Sequence, residues 1–440
     1  MQLSQTTEVL RTTVADTLIR GRARSTALTD LDEGELTAQH SPLMSPLVWD
    51  LAHIGNQEEL WLVRDVGGRD PVRQDIDQLY DAFQHSRASR PSLPLLSPAQ
   101  ARGYVRVVRE KVLDILDSVP LRGDRLQHNG FAFGMIAQHE QQHAETMLAT
   151  HQLRRGAAVL SAPSAPQHAV ALPAEVVVPA GEFVMGTATE PWALDNERPA
   201  HPVYVPGYAI DTTPVSNAQY RCFIADGGYA RPELWSATGW QHRVQAGLAA
   251  PQFWHRDPDG SWWRHRFGVR EPVPDAEPVM HVCFHEAQAY ARWAGRRLPT
   301  EPEWEKAARH DPTTGRTRRY PWGDEGPTPT RANLGQRHLQ PAAVGSYPAG
   351  ASALGVHQLI GDVWEWCSSS FAAYPGFEVF PYEEYSQVFF EGDYRILRGG
   401  SFGTDEVVAR STFRNWDHPI RRQIFAGFRC ARDLSTDERG

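Results

Sequence analysis

The chain has 440 residues, of which 41% are hydrophobic and 22% are charged, enough for about two or three domains with ordinary cores. Its formal net charge of -9 argues against a nucleic-acid partner, because phosphate binding requires a clustered basic face. The stretch after Met1 is polar, and no run of about 18 apolar residues appears. We therefore expect a cytoplasmic protein without a signal peptide or a membrane span.

Apolar periodicity predicts four amphipathic helices in roughly the first 150 residues. The apolar stripes contain Leu10, Val14 and Leu18 in the first helix, Leu51, Ile54 and Leu62 in the second, Val105, Val108 and Val112 in the third, and Phe133, Ile136 and Met147 in the fourth. Ser97 followed by Pro98 is a typical start signal for the third helix. Four helices joined by loops predict a four-helix bundle over residues 1–155.

The composition changes after the bundle. The stretch Ser161-Ala-Pro-Ser-Ala-Pro166 resists both helix and strand, so residues 156–175 are predicted to be a linker. Short strands between Gly, Pro and Asn turns follow, with helices at about 285–293 and 301–309. Residues 176–435 are therefore predicted to form a loop-rich α+β domain, and the whole chain to be a multidomain α and α+β protein.

The clearest chemical signal is a pair of histidines four residues apart on the fourth helix, His139 and His143. This spacing places two imidazoles on one helix face, where both can reach one metal ion. His53 lies within an apolar helical stretch and is the best third ligand, although a single internal histidine is more often a hydrogen-bonded core residue. The three histidines predict a metal site.

The same five residues match H-E-x-x-H, the motif of zinc proteases. That alternative makes the two histidines zinc ligands and Glu140 the general base. The H-x-x-G-x-x-H continuation found in many such proteases is absent after His143. A zinc metalloprotease remains the alternative function, and a binding module without catalysis is a third.

Several longer motifs carry a family resemblance. They are Val178-Pro-Ala-Gly-Glu-Phe-Val-Met-Gly186, Thr213-Pro-Val-Ser-Asn217, Arg297-Leu-Pro-Thr-Glu-Pro-Glu-Trp-Glu305, Tyr320-Pro-Trp-Gly323, Gly361-Asp-Val-Trp-Glu-Trp366, Arg398-Gly-Gly-Ser401 and Gly427-Phe-Arg429. The second half thereby resembles the formylglycine-generating-enzyme (sulfatase-modifying-factor) family, with its C-type-lectin-like fold, and the first half resembles the DinB-like bundles. The combination resembles the sulfoxide synthases of ergothioneine biosynthesis.

That resemblance implies a non-haem iron oxygenase that uses Fe(II) and O2. The implied reaction joins the thiol of γ-glutamylcysteine to C2 of the imidazole of Nα-trimethylhistidine (hercynine) and yields a sulfoxide. It also implies that His53, His139 and His143 hold the iron and that the second domain forms the substrate pocket. A relative that uses cysteine as the thiol is the variant of this hypothesis, and we expect a monomer that binds small molecules.

The resemblance further implies which side chain donates a proton and which side chains contact the substrates. Tyr382 is assigned as the proton donor, and the substrate contacts are assigned to Arg87, Arg90, Gln142, Tyr385, Asn415, Trp416, Asp417 and Arg421. Trp416 would contact the quaternary ammonium by a cation–π interaction, and Asp417 would hold an ammonium of the thiol substrate. Arg87 and Arg90 would bind its carboxylates.

One departure from the formylglycine-generating enzymes concerns their pair of reactive cysteines. The matching stretch Arg410-Ser-Thr-Phe-Arg-Asn415 contains no cysteine, and Cys430 has no partner nearby in the sequence. We expect Cys430 to be buried and inert, and the second domain to keep the fold of that family without its chemistry.

Overall fold

A computed structural model of the chain describes residues 2–168, 170–435 and 438. The chain divides into two compact units, Met1–Arg155 and Gly156–Gly440. Among the described helices, none combines the length and the apolar character needed to cross a bilayer.

The first unit is helical. Its helices are α1 (Gln2–Leu28), α2 (Glu33–Thr37), α3 (Leu47–Glu58), α4 (Pro98–Ser118) and α5 (Phe131–Leu153). The four long helices confirm the predicted bundle, whereas the short α2 was not predicted. The second predicted helix is continuous but changes type. The α-helical turns of α3 are followed without a break by π-helical turns over Glu59–Val66.

The helix starts follow the local sequence signals. Ser97 Oγ accepts a hydrogen bond from the backbone N of Gln100, and the Gln100 side chain accepts one from the backbone N of Ser97. This reciprocal cap begins α4 as its Ser-Pro start predicts. Gly130 precedes α5 with φ 66°, a left-handed conformation that glycine adopts without steric cost.

A buried cluster of four charges joins the long helices. Glu58 of α3 accepts hydrogen bonds from Arg22 of α1, at 2.6 Å, and from Arg109 of α4. Glu140 of α5 pairs with the same two arginines, at 2.8 Å to Arg22 and 2.6 Å to Arg109. The two positive and two negative charges balance, which makes their burial tolerable and sets the mutual orientation of the helices.

The second unit consists of short strands. They are β1 (Glu175–Val178), β2 (Gly181–Met185), β3 (His201–Val205), β4 (Tyr208–Asp211), β5 (Trp254–Arg256), β6 (Trp262–Arg266), β7 (Val269–Pro272), β8 (His310–Asp311), β9 (Arg316–Thr317), β10 (Trp364–Ser370), β11 (Arg395–Arg398), β12 (Asn415–Asp417), β13 (Ala426–Gly427) and β14 (Ala431–Asp433). The sheets have the orders β1-β4-β14, β12-β11-β10-β13, β5-β6-β7, β2-β3 and β8-β9. Pairing is antiparallel except between β10 and β13.

In the described part of this unit, four α-helices accompany the strands: α6 (Asn217–Ala225), α7 (Ala237–Gln245), α8 (Phe284–Trp293) and α9 (Glu301–Arg309). Helices α8 and α9 were predicted, and Thr300 caps the start of α9. Helices α6 and α7 were not predicted, although Ser216 and Ser236 cap them. Each spans nine residues, which is too short for a clear apolar period.

Helix α9 holds the second unit together. The buried guanidinium of Arg398, on β11, donates to Glu301 at 2.7 Å and to Glu305 at 2.8 Å. Arg414, directly before β12, donates twice to Glu301, at 2.7 and 2.9 Å. The buried ring of Trp304 packs between these groups and the apolar core. The strand that carries Asn415, β12, is therefore anchored through α9.

Residues 156–168 and 170–174 of the predicted linker form no helix or strand, whereas its last residue, Glu175, begins β1, and part of the linker packs on the second unit. Ala165 is buried against Ala342 and Tyr347. The carbonyl of Pro166 accepts hydrogen bonds from Ala343 N at 3.1 Å and from Ser346 Oγ at 3.2 Å. This stretch therefore belongs structurally to the second unit.

We expect Glu58→Gln to lower the free energy of unfolding by about 3 kcal/mol, because two buried guanidinium groups would then share one carboxylate. Urea denaturation followed by the helical circular dichroism signal measures the loss. Glu110→Gln is the matched control, since Glu110 is exposed and pairs with Arg106 on the helix surface. Its expected loss is about 0.5 kcal/mol or less. Equal losses in the two variants would contradict a stabilising role of the buried cluster.

Candidate metal centre

Three histidines from two helices meet inside the bundle. His53 comes from α3, and His139 and His143 come from successive turns of α5. One ring nitrogen of each lies within 4.8 Å of those of the other two. The ring centroids are 4.6 to 5.1 Å apart. The predicted triad is therefore assembled, with His53 buried and a fifth of the His143 side chain exposed.

The ring of His53 is held on two sides. Its Nδ1 lies 2.8 Å from the carbonyl oxygen of Tyr80. A carbonyl can only accept, so Nδ1 carries the proton and Nε2 keeps the lone pair that a metal needs. The indole of Trp49 stacks on the imidazole at 4.6 Å, and the guanidinium of Arg90 lies 3.4 Å from the centroid of that indole. This stack fixes the plane of the His53 ring.

His143 is oriented by a carboxylate. Its Nδ1 lies 3.0 Å from Oδ1 of Asp50, a residue of α3 that is only 1% exposed. This contact places the proton on Nδ1, leaves the Nε2 lone pair for a metal, and orients the ring. Oδ2 of Asp50 is buried without a hydrogen-bond partner. Asp50 was not predicted as a site residue, although it lies one helical turn before His53 in an apolar stretch.

The electrostatics favour uncharged imidazoles. Burial, followed by the neighbouring imidazoles, holds the pKa of His53 and of His139 below the ordinary value. Neutral imidazole is the form that binds metals. Nδ1 of His139 is buried and has no hydrogen-bond partner. Three converging imidazole nitrogens with an unsatisfied ring atom fit a divalent transition metal.

Glu140 cannot serve as the general base that the zinc-protease alternative requires. Both of its carboxylate oxygens are paired with Arg22 and Arg109, and Ser25 Oγ donates to Oε1 at 3.0 Å. Burial alone would raise the pKa of this carboxyl, but the two guanidinium charges outweigh it and lower the pKa to about 2. Consecutive residues lie about 100° apart around a helix. Glu140 therefore lies on a different side of α5 from His139, within the charged cluster.

The other predicted site residues of the first unit lie on α5 or in the loop between α3 and α4. Gln142 is half-buried on α5 between the two ligands. Arg90 is buried, and its guanidinium donates to Ser45 Oγ at 2.5 Å and to two backbone carbonyls. Arg87 is half-buried and donates to the carbonyl of Leu43 at 3.0 Å. Arg90 therefore supports Trp49 from within the fold, and Arg87 is the more accessible arginine of the pair.

In the second unit the predicted aromatic residues come together. The rings of Tyr382 and Tyr385 meet edge to face at 6.0 Å, and Tyr385 meets Trp416 at 6.2 Å. Trp416 stacks on Phe371 at 4.0 Å. Burial, followed by the charges of Asp195 and Glu384, raises the pKa of the Tyr382 phenol, so it stays protonated. Residues distant in sequence thus form one aromatic cluster.

Polar residues flank this cluster along β12 and the turn after it. Asn415 is half-buried, and its Oδ1 accepts from the backbone N of Trp416 at 2.9 Å. Asp417 pairs with Arg421 at 3.2 Å. Its Oδ1 also accepts from the backbone N of His418 at 2.8 Å. A substrate ammonium at Asp417 would therefore share this carboxylate with Arg421.

The four cysteines, all within the described residues, form no reactive pair. Cys283, Cys367 and Cys430 are buried, and Cys222 is exposed and forms no disulfide. Burial raises the pKa of the three buried thiols, which keeps them as unreactive thiols. The expectation that Cys430 is buried is confirmed.

Comparisons with known proteins agree with both halves of the chain. Residues 17–147 match the DinB superfamily, and residues 161–434 match the sulfatase-modifying factor enzyme 1-like domain. The formylglycine-generating enzyme of Streptomyces coelicolor is 36% identical over 59% of this chain and 89% of its own length. The solved structure of PvdO from Pseudomonas aeruginosa is 22% identical, covers 59% of this chain and 94% of its own, and superposes with a TM-score of 0.41.

Fold and site define a DinB-type bundle with a three-histidine centre, fused to a sulfatase-modifying-factor domain. The relatives that extend over nearly the whole chain include two mycobacterial enzymes. The hercynine oxygenase of Mycolicibacterium thermoresistibile is 56% identical, covering 96% of this chain and 95% of its own. That of Mycobacterium tuberculosis is 55% identical, covering 95% and 98%. The chain belongs to the hercynine oxygenase family.

We expect Asp50→Asn to weaken metal binding about 10- to 100-fold, because the His143 ring would lose the carboxylate that orients it and holds its tautomer. Competition between the protein and a chromophoric chelator for Co(II) measures the affinity without any turnover. Asp114→Asn, an exposed change on α4, is the control and should bind like the wild type. Wild-type affinity in the Asp50 variant would show that this carboxylate does not support the ligand.

Proposed function

We propose that this protein is an iron(II)- and O2-dependent sulfoxide synthase. It would join the thiol of γ-glutamylcysteine to C2 of the imidazole of hercynine. The reaction consumes one O2: one oxygen atom enters the sulfoxide, and the other leaves as water with the thiol hydrogen and the C2 hydrogen. Membership of the hercynine oxygenase family supports the choice of reaction.

The observation that carries the proposal is the set of three converging imidazoles, of which His53 and His143 are held in their metal-binding tautomers by the Tyr80 carbonyl and by Asp50. Three neutral nitrogens leave coordination positions free for small ligands. Bound iron would supply redox chemistry with O2, which zinc cannot because it is redox-inactive. His53, His139 and His143 would hold the metal.

The alternative of a zinc metalloprotease loses its support from Glu140. A general base must reach a water molecule at the metal with a free carboxylate. Both oxygens of Glu140 are instead engaged by buried arginines. What remains of the match to the protease motif is the four-residue spacing of His139 and His143. This spacing can place two metal ligands in an oxygenase as well as in a protease.

The residues of the second unit would bind and orient the substrates. Trp416 offers an indole face to a trimethylammonium group, and Asn415 offers an amide to the imidazole or the carboxylate. Tyr382 is assigned as the proton donor, in keeping with a phenol that stays protonated. Tyr385 contacts both Tyr382 and Trp416 and would help to wall the site.

The thiol donor is chosen by its extra carboxylate. Arg87 is half-buried, donates to the carbonyl of Leu43, and would bind a carboxylate of the γ-glutamyl group. Arg90 would act mainly by holding Trp49 against His53. Cysteine lacks the γ-glutamyl carboxylate, so a relative that uses cysteine would not need this contact.

We expect the protein, loaded with iron(II) without oxygen and then exposed to O2, to convert hercynine and γ-glutamylcysteine into one new product. Mass spectrometry should find the sum of both substrates plus one oxygen and minus two hydrogens. A parallel reaction with cysteine identifies the thiol donor, and protein loaded with zinc is the control. No such product with either thiol would refute the proposed function.

We expect Tyr382→Phe to reduce sulfoxide formation by about 100-fold or more, since the phenol is the assigned proton source. Tyr385→Phe removes the neighbouring hydroxyl and should keep most of the activity. The rate of sulfoxide formation, measured at saturating substrates, checks both variants. Should the Tyr385 variant show the larger loss, the proton donor would be Tyr385.

A further inference from the structure

The side chains that we propose to meet substrate in the second unit lie on short elements. Tyr382 precedes a single turn, Glu383–Tyr385, and Trp416 lies in the three-residue strand β12. Elements this short have few backbone hydrogen bonds of their own, so other groups must hold them in place. A turn elsewhere in the chain, formed by residues 195–197, is hydrogen-bonded to both the Tyr382 segment and the residues before β12.

The first segment is held by a turn formed by residues 195–197. Asp195 is 1% exposed, and its Oδ1 accepts from Ser386 Oγ at 2.5 Å. Its Oδ2 accepts from the backbone N of Phe380 at 3.4 Å. Asn196 Nδ2 donates to Ser386 Oγ at 2.9 Å. Phe380 and Ser386 lie at the two ends of the segment that contains Tyr382, and both are hydrogen-bonded to this turn.

The second segment is held by the next residues of the same turn. Glu197 is fully buried and pairs with Arg410, whose Nε lies 2.8 Å from Oε2. The same Oε2 accepts from Thr412 Oγ1 at 2.7 Å. The carbonyl of Asn196 accepts from Arg414 Nη1 at 2.9 Å. The residues immediately before β12 are thus fastened to the turn that fastens the tyrosine segment.

Burial of the Asp195 carboxyl is energetically unfavourable. Burial raises its pKa, and the hydrogen bonds from Ser386 and Phe380 only partly offset this effect. A buried carboxyl with little compensation destabilises a fold, so its presence needs an explanation in what it holds. Its charge also helps, after burial, to raise the pKa of Tyr382.

We propose that the 195–197 turn positions the substrate wall, with Asp195 and Ser386 holding Tyr382 and with Glu197 and Thr412 holding Trp416. The roles of Tyr382 and Trp416 rest on the proposed function, but the coupling of the two segments does not. Asp195 and Glu197 are positioning residues, since they act through the segments they hold. The turn then affects proton transfer through one end and substrate binding through the other.

The test uses mild variants of the full-length, iron-loaded protein. Ser386→Ala removes a hydroxyl from Asp195 and should lower kcat about 10-fold, with KM for hercynine within about 3-fold, because it loosens the proton donor. Thr412→Val removes a hydroxyl from Glu197 and should raise KM for hercynine about 3- to 10-fold, with a smaller change in kcat. Asp195→Asn, which keeps one acceptor, should fall between the wild type and Asp195→Ala in kcat.

Hydrogen exchange read by mass spectrometry provides a measure that does not need turnover. Amides of residues 380–386 should exchange about 10-fold faster in Ser386→Ala and Asp195→Asn, with other segments unchanged. Asp362→Asn is the control, because Asp362 is a buried carboxyl that accepts from Asn333 and Gln358 and lies outside both segments. It should leave residues 380–386 unchanged.

Wild-type exchange at residues 380–386 in both variants would overturn the proposal, as would the same exchange pattern in the Asp362 control. So would equal effects of Ser386→Ala and Thr412→Val on kcat and KM. If the wild type forms no sulfoxide, the proposed function fails, while faster exchange confined to these segments still supports the positioning turn.

Discussion

The charged cluster of Arg22, Glu58, Arg109 and Glu140 is the constraint on which the metal centre depends. Glu140 follows His139 directly on α5, so fastening its carboxylate to arginines of α1 and α4 sets the rotation of α5 about its axis. With that rotation set, His139 and His143 face α3 and meet His53. The hydrogen bonds with Asp50 and with the Tyr80 carbonyl then place the proton on Nδ1 of His143 and of His53. Buried ion pairs add little net stability, but they determine orientation, which matters more for a ligand set.

The second unit uses the same device for a different purpose. Glu301 and Glu305 on α9 bind Arg398 and Arg414, and Glu197 binds Arg410. These pairs hold short loops and strands that could not fold alone. Much of the family motif from Arg297 to Glu305, and of the one that begins at Arg398, therefore serves architecture. The chemistry assigned to this unit lies on segments that the motifs support.

Local patterns were sufficient for the long helices and for the histidine pair. A helix of 21 or 23 residues repeats its apolar stripe several times, and caps such as Ser97 mark its start. They were insufficient for α6 and α7, for the π-helical turns after α3, and for the partners of the histidines. Asp50 could have been suspected, because a carboxylate one turn before His53 in an apolar helix needs a partner. The Tyr80 carbonyl could not, since a backbone group leaves no mark in sequence.

The two-part organisation, the four long helices, the three histidines and the family could all be predicted from the sequence. These depend on periodicity, spacing and motifs, which are properties of neighbouring residues. Three further features became visible in the folded chain: Glu140 joins an ion-pair cluster, Arg90 packs on Trp49, and Asp195 holds the segment of Tyr382. Those outcomes depend on which charged and polar groups meet across long stretches of chain or across a single turn of helix. Burial then makes each such pairing obligatory, because an unpaired charge in the interior costs far more than an exposed one.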